Sequence, residues 1–291
     1  MAEALHILLT GATGFVGRAL LPRLAVQGHR VTAVLREGAP APAGAAVLRH
    51  DLGSGAPLSP PADLDAVVHL AQSRAYRAFP GDAAQMFAVN VAGTHEMLLA
   101  AAAAGVSRFC LVSSGTVYEP FAGPLEEERV LAPASQLGAT KLAAEMLAKP
   151  YGALFPVATL RLFAPFGPGQ TDRLLPDLIR RVRGGEAVTL PPQGGGMRFA
   201  PTYVADVCGV VLAALCERWT GPFNVASPES FTIEEVARAI GTALGRQPLF
   251  ERKPIAAPCV VPVLTRLSAR YDMASFRSLA DGIAATVAGE G

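Results

Sequence analysis

Short, almost wholly apolar runs alternate through the first half of the chain with longer segments whose apolar positions recur at helical spacing. The runs His6–Leu9, Val31–Leu35, Ala46–His50, Asp65–Leu70, Phe109–Ser113 and Val157–Leu162 predict six strands. The segments Phe15–Gln27, Met86–Ala104 and Ser135–Ala148 predict helices between them. Strands without polar alternation are buried on both faces, as in a parallel sheet covered by helices. The pattern therefore predicts an α/β fold, a Rossmann-type doubly wound parallel sheet. Ligands of such sheets lie beyond the carboxyl ends of the strands, where the strand order reverses.

After Leu162 the pattern loosens. Phe163–Gly169 is rich in Gly and Pro, and Gln193–Gly196 reads as a flexible glycine run. Leu174–Gly184, Val204–Cys216 and Ser230–Gly245 predict helices, the last with Glu234 and Glu235 in its first turn. These pieces predict a smaller C-terminal α/β substrate domain. The expected partition is 1–163 plus about 198–226 for dinucleotide binding, and about 164–197 plus 227–291 for substrate.

Composition narrows the function classes. The chain is 51% apolar and 17% charged, which specifies a globular protein, and its net charge of +1 gives no basis for nucleic-acid or anionic-membrane binding. The longest apolar stretches, near Met97–Val106 and Val204–Cys216, fall short of a membrane span. No basic region precedes Ile7-Leu8-Leu9, so no signal peptide is expected and the location expected is cytoplasmic. Cys110, Cys208, Cys216 and Cys259 form no metal-ligand spacing and read as buried thiols in a reducing compartment. Only three of the 25 basic side chains are lysines, which makes Lys141 informative.

Thr10-Gly11-Ala12-Thr13-Gly14-Phe15-Val16-Gly17 follows the first strand and opens the first helix. Gly11 permits a tight turn, Gly14 admits a pyrophosphate, and Gly17 lets helix and strand pack closely. The free amides of the helix start, with Thr13, Phe15 and Val16, complete a phosphate cradle. The second strand ends at Leu35-Arg36, without the acidic residue that would bind a ribose 2′-hydroxyl. Arg36 can pair with a 2′-phosphate, so the cofactor expected is NADP, with NAD as the alternative.

Further segments carry a resemblance over nearly the whole chain. They are Asp51-Leu52, His69-Leu70-Ala71-Gln72, Asn90-Val91-Ala92-Gly93-Thr94, Ser113-Ser114-Gly115-Thr116-Val117-Tyr118, Leu137-Gly138-Ala139-Thr140-Lys141, Arg161–Gly169 and Gly221–Ala226. Together with the glycine turn they resemble the extended short-chain dehydrogenase/reductase family, in its nucleotide-sugar epimerase/dehydratase branch. The resemblance implies that Asp51 and Leu52 hold the adenine, and that Leu70, Ala71, Gln72 and Asn90 lie beside the cofactor. It implies that Ser114 faces the reacting oxygen and that Lys141 holds the nicotinamide ribose. It also implies a nucleotide sugar or related small molecule as substrate, and a homodimer paired through the helices Met86–Ala104 and Ser135–Ala148.

The chain departs from that pattern at three places. Leu137 stands where the family carries its acid/base Tyr, and an isobutyl group moves no proton. Ala164 stands where an Asn commonly contacts the nucleotide diphosphate, and Phe166 where Tyr is usual. Arg198 matches the diphosphate-binding Arg to within about one residue. Substitutes for the phenol are Tyr76 in the loop after the fourth strand, Tyr118, or Lys141 acting through water. His69 and His95 read as packed side chains and Glu126-Glu127-Glu128 as a solvated run. Three functions remain: an NAD(P)-dependent enzyme with altered acid/base chemistry, a catalytically silent NAD(P)-binding sensor or partner subunit, or an enzyme without hydride transfer.

Overall fold

Six of the apolar runs form strands in the computed structural model, which describes residues 3–289. They are β1 (His6–Thr10), β2 (Arg30–Leu35), β3 (Ala46–Arg49), β4 (Ala66–His69), β5 (Arg108–Ser114) and β6 (Val157–Leu162). All pair in parallel, in the order β3-β2-β1-β4-β5-β6, and the strand Gly221–Val225 lies beyond β6 as the seventh. Strand order reverses at β1, which pairs with β2 on one side through His6–Thr10 and with β4 on the other through Ile7–Thr10. This is the Rossmann-type topology that the alternation predicts.

Helices α1 (Phe15–Val26), α2 (Ala83–Phe87), α3 (Gly93–Ala104) and α4 (Gln136–Ala148) connect the strands. Leu8, Val34, Val67, Phe109 and Leu111 share one core with Met97, Leu98 and Ala101 of α3 and Ala144 and Ala148 of α4. The alternate strand residues Ile7, Leu9, Ala33, Val68 and Cys110 are equally buried, so both faces of the sheet are covered.

The expected helix Met86–Ala104 starts earlier and is not uniform. A π-helical turn, Ala88–Ala92, joins α2 to α3. The continuous run Ala83–Ala104 is 22 residues long, and by length and hydropathy alone it reaches what a membrane span needs, contrary to the shorter stretches read from sequence. It packs on the sheet and α4 in this unit, with Met86, Met97 and Leu98 fully buried.

By internal contacts the chain forms two units: Met1–Pro120 with Glu128–Leu162 and Cys208–Phe223, and Phe121–Glu127 with Phe163–Val207 and Asn224–Gly291. Of the residues expected in the first domain, 121–127, 163, 198–207 and 224–226 fall in the second unit. There Leu125 bridges to Pro262 and accepts the amides of Val263 (3.1 Å) and the Asn224 side chain (2.8 Å). Arg198-Phe199 pairs with Phe231-Thr232 and with Cys259-Val260.

The second unit's core joins Leu175, Leu178, Ile179 and Val182 of α5 (Leu174–Gly184) to Val236, Ala237 and Ile240 of Ile233–Leu244 and to Ile283 of Leu279–Ala288. Helix Ile233–Leu244 begins with a capping box in which Thr232 and Glu235 satisfy each other's amides. The run Gln193–Gly196, read as flexible, is pinned: Arg252 donates to the Gly194 carbonyl (2.5 Å) and Glu234 N–H to that of Gly195 (2.9 Å). The four cysteines are free thiols. Cys110 and Cys208 are buried as expected, but Cys259 is exposed on a short strand. Burial pushes the Cys110 thiol up to about 12.

Candidate active site

At the end of β1 the chain turns at Gly11, whose φ of +70° suits glycine; a Cβ there would press on the Ala71 amide at 3.0 Å. A Cβ on Gly17 would collide with the Gly11 carbonyl, so α1 lies hard against the turn. Gly14 caps α1 in an extended conformation with no side-chain cap and no acid in the first turn. The first bond of the helix is Arg18 N–H to the Gly14 carbonyl, leaving the amides of Phe15, Val16 and Gly17 without an intrahelical acceptor. An uncapped helix start at a strand-order reversal is an anion site, and these residues fit a pyrophosphate.

The Thr10 hydroxyl ties β1 to β4. It accepts the Ala71 amide (3.1 Å) and bonds His69 Nδ1 (2.8 Å). The other ring nitrogen of His69 meets Thr94 Oγ1 at 3.0 Å, and that hydroxyl donates to the Asn90 carbonyl at 2.7 Å. The Thr94 oxygen must then accept from Nε2–H, which leaves Nδ1 to accept from Thr10. His69 is thus a neutral imidazole, and desolvation, then the Lys141 charge, lowers its pKa to about 3. It is packed as expected. His95 is exposed on α3, contrary to expectation.

Asn90 sits in the π-helical turn and is buried. Its Oδ1 accepts the Ser73 amide (2.9 Å), and its Nδ2 donates to Thr140 Oγ1 (3.0 Å) on α4. This joins the Leu70–Gln72 loop end to the helix that carries Leu137 and Lys141. Ser135 caps α4 by accepting the Gly138 amide at 3.1 Å. A Cβ on Gly138 would lie 2.5 Å from the Thr116 carbonyl, so the helix start is seated on the turn Gly115–Tyr118 that follows Ser114.

Ser114 Oγ accepts two hydrogen bonds, from the Thr116 amide (3.2 Å) and the Thr116 hydroxyl (3.0 Å). Its own hydrogen is then free to be donated outward. Lys141 Nζ is buried and donates to the Val112 carbonyl at 3.0 Å. Desolvation lowers its pKa to about 8, against the opposing pull of Glu145 one turn on. Glu145 is itself buried and paired with Arg161 (2.7 Å), and it accepts the Ser113 hydroxyl (2.5 Å). Arg161 also donates to Tyr118 Oη at 2.7 Å and lies over that ring at 5.1 Å. Tyr118 is therefore bound into a buried structural cluster. Leu137 is half-buried, one helical turn before Lys141.

The remaining expected site residues are placed as follows. Arg36 is exposed, and the turn after β2 is held by Arg49, which donates to the carbonyls of Arg36 (2.9 Å) and Ala39 (2.7 Å). Asp51 is exposed and Leu52 half-buried after β3. Tyr76 is half-buried beside Arg77, whose guanidinium is 5.4 Å from its ring centre. Ala164 and Arg198 belong to the second unit. Ala164 has φ +38°, unusual for a residue with a Cβ, and its carbonyl accepts the Thr202 amide at 3.1 Å. Arg198 is engaged with the Ser230 carbonyl (2.8 Å) and Glu235 (3.3 Å). The solvated reading of the Glu126–Glu128 run fails at Glu127, which is buried and accepts the Asn224 amide at 2.9 Å.

Sequence reasoning missed Thr10, Thr116, Thr140 and Glu145. Glu145 carried a signal, since it lies four residues after Lys141 on the same helix face. Thr10, Thr116 and Thr140 carried none beyond adjacency to residues already singled out. Among the described residues no cluster of three or more His, Cys, Asp or Glu could hold a metal ion.

The profile of the NAD dependent epimerase/dehydratase family matches residues 7–227, and the chain belongs to that family. A curated relative, the low-salt glycan biosynthesis protein Agl12 of Haloferax volcanii, is 33% identical over 190 residues, covering 62% of this chain and 61% of the relative. The match thus spans about three fifths of that protein. Among solved structures, MoeE5 in complex with UDP-glucose and NAD superposes with a TM-score of 0.82 at 28% identity, covering 98% of each chain. UDP-glucose 4-epimerase of Thermus thermophilus in complex with NAD gives 0.79 at 26% identity, again over 98% of each chain.

Proposed function

We propose that the protein binds a nicotinamide dinucleotide and acts on a nucleotide sugar, or a related keto or hydroxy substrate, by epimerase, dehydratase or reductase chemistry with an altered acid/base group. The observation that carries this reading is the uncapped start of α1 behind a glycine turn, in a family whose solved neighbours hold NAD with UDP-sugars. The bound nicotinamide would supply hydride acceptance or donation. Ser114, its oxygen held by Thr116, donates its proton to the substrate oxygen. Lys141, buried and with its Nζ donating to the Val112 carbonyl, holds the ribose side of the site. Leu137 moves no proton, so the proton transferred with the hydride passes through Tyr76 or through water held by Lys141.

The cofactor proposed is NADP(H) in preference to NAD(H), through the exposed Arg36 after β2. The neighbours named above carry NAD, and titration of the protein with both cofactors decides between them. Tighter binding of NAD removes the preference, and binding of neither removes the site. Leu137 also favours a second reading, a silent dinucleotide-binding partner subunit. Cofactor binding without turnover on a panel of UDP-, GDP- and dTDP-sugars selects it. The proposed assembly is a cytoplasmic homodimer, supported by the exposed apolar side chains Phe87, Leu99 and Met146 on and beside α3 and α4.

A further inference from the structure

We propose that Glu96, on α3, positions the loop that receives the adenine, and so sets how well the protein distinguishes adenine from other purines. The proposal rests on the dinucleotide reading above. Asp51-Leu52 follow β3, the outermost strand of the sheet, which has a paired neighbour on one side only. The loop closes on itself through the Ser54 amide and the Asp51 carbonyl at 3.1 Å. Further support comes from α3. Glu96 Oε2 accepts the Gly53 amide (3.0 Å) and meets His50 Nε2 (3.1 Å), while Oε1 accepts the Gly55 amide (3.1 Å).

The contact is sheltered: the Glu96 side chain is 15% exposed and that of His50 5%. Bonds from backbone amides to a carboxylate are short and directional, and one carboxylate that grips two amides fixes them as a unit. Gly53 adopts φ +80° and sits so close to the π-helical turn that a Cβ would collide with the Ala88 carbonyl. Leu52 packs on Gly93 at the start of the same helix. The loop is thus held from behind, and Asp51 is left exposed to accept the adenine amino group. Glu96 itself does not touch the cofactor. Glutamine at 96 keeps the volume but turns one acceptor into a donor aimed at backbone donors.

The test is calorimetric titration of the whole protein and of Glu96→Gln and Glu96→Ala, using NAD and its deamino analogue, in which hypoxanthine replaces adenine. A melting curve accompanies each variant. The unmodified protein should bind NAD more tightly than the analogue. The variants should melt near the original temperature, bind NAD on the order of tenfold more weakly, and bind the analogue almost unchanged. Equal weakening of both ligands, or no change, overturns the proposal, as does an unmodified protein that shows no preference. Failure of the unmodified protein to bind NAD, NADP or the analogue overturns the dinucleotide reading itself.

Discussion

Leu137 lies one helical turn before Lys141, on a helix start seated against the turn after Ser114. A phenol at 137 would meet the Lys141 side, and its pKa would fall through proximity to that charge. Leu137→Tyr should therefore raise or create slow turnover on nucleotide sugars, measured beside the unmodified protein. Robust turnover that disappears on the change would show that leucine belongs to a different working mechanism. Ala164 poses a separate question of strain. A non-glycine residue in the left-handed region costs about 1–2 kcal/mol, and glycine there loses part of that gain to chain entropy. Ala164→Gly should stabilise the protein by up to about 1 kcal/mol in urea unfolding. Loss of stability would mean that this backbone is not strained.

Between elements, two buried polar clusters hold the candidate site in place. Glu145 on α4 and Arg161 on β6 form an ion pair with side chains only 8% and 5% exposed. Removing one partner strands the other charge, so Arg161→Met should cost about 3–5 kcal/mol. Adding Glu145→Leu should recover most of that loss; if the double variant is as unstable as the single, stranded charge is not the cause. His69 ties β1 and β4 to α3 as a neutral ring whose pKa is lowered to about 3 from 6.5. The unfolded chain takes up the proton first, so stability is complete above pH 6.5 and is lost as pH falls towards 3. His69→Gln should flatten the stability–pH curve in that window relative to the original protein, whatever its effect at neutral pH. An unchanged acid slope would assign the sensitivity to other groups.

For the whole molecule, the proposed homodimer is carried by Leu99 and Met146, exposed on α3 and α4 within one unit. A self-complementary patch meets its own copy across a two-fold axis, so a single charged substitution acts twice. Leu99→Glu with Met146→Glu should shift the light-scattering mass from dimer to monomer at micromolar protein, without lowering the affinity of one chain for dinucleotide. A monomeric unmodified protein would remove the assembly.

Local order was legible in the residues themselves. Buried parallel strands read as unbroken apolar runs, the Gly11–Gly17 turn needs glycine for reasons of φ and close approach, and Leu137 and Lys141 share a helix face through a four-residue spacing. The two- and three-residue strands of the second unit were not read, since pieces so short carry no period; the helix Leu279–Ala288 was not read either, although Leu279, Gly282, Ile283 and Thr286 are buried at helical spacing. Tertiary structure alone decided the rest. Thr10 meets His69 across 59 positions, Asn90 meets Thr140 across 50, and Glu96 meets His50 across 46. No periodic pattern links such residues. They pair because burial forces each polar group to find a partner, and only the folded chain determines which partner is within reach.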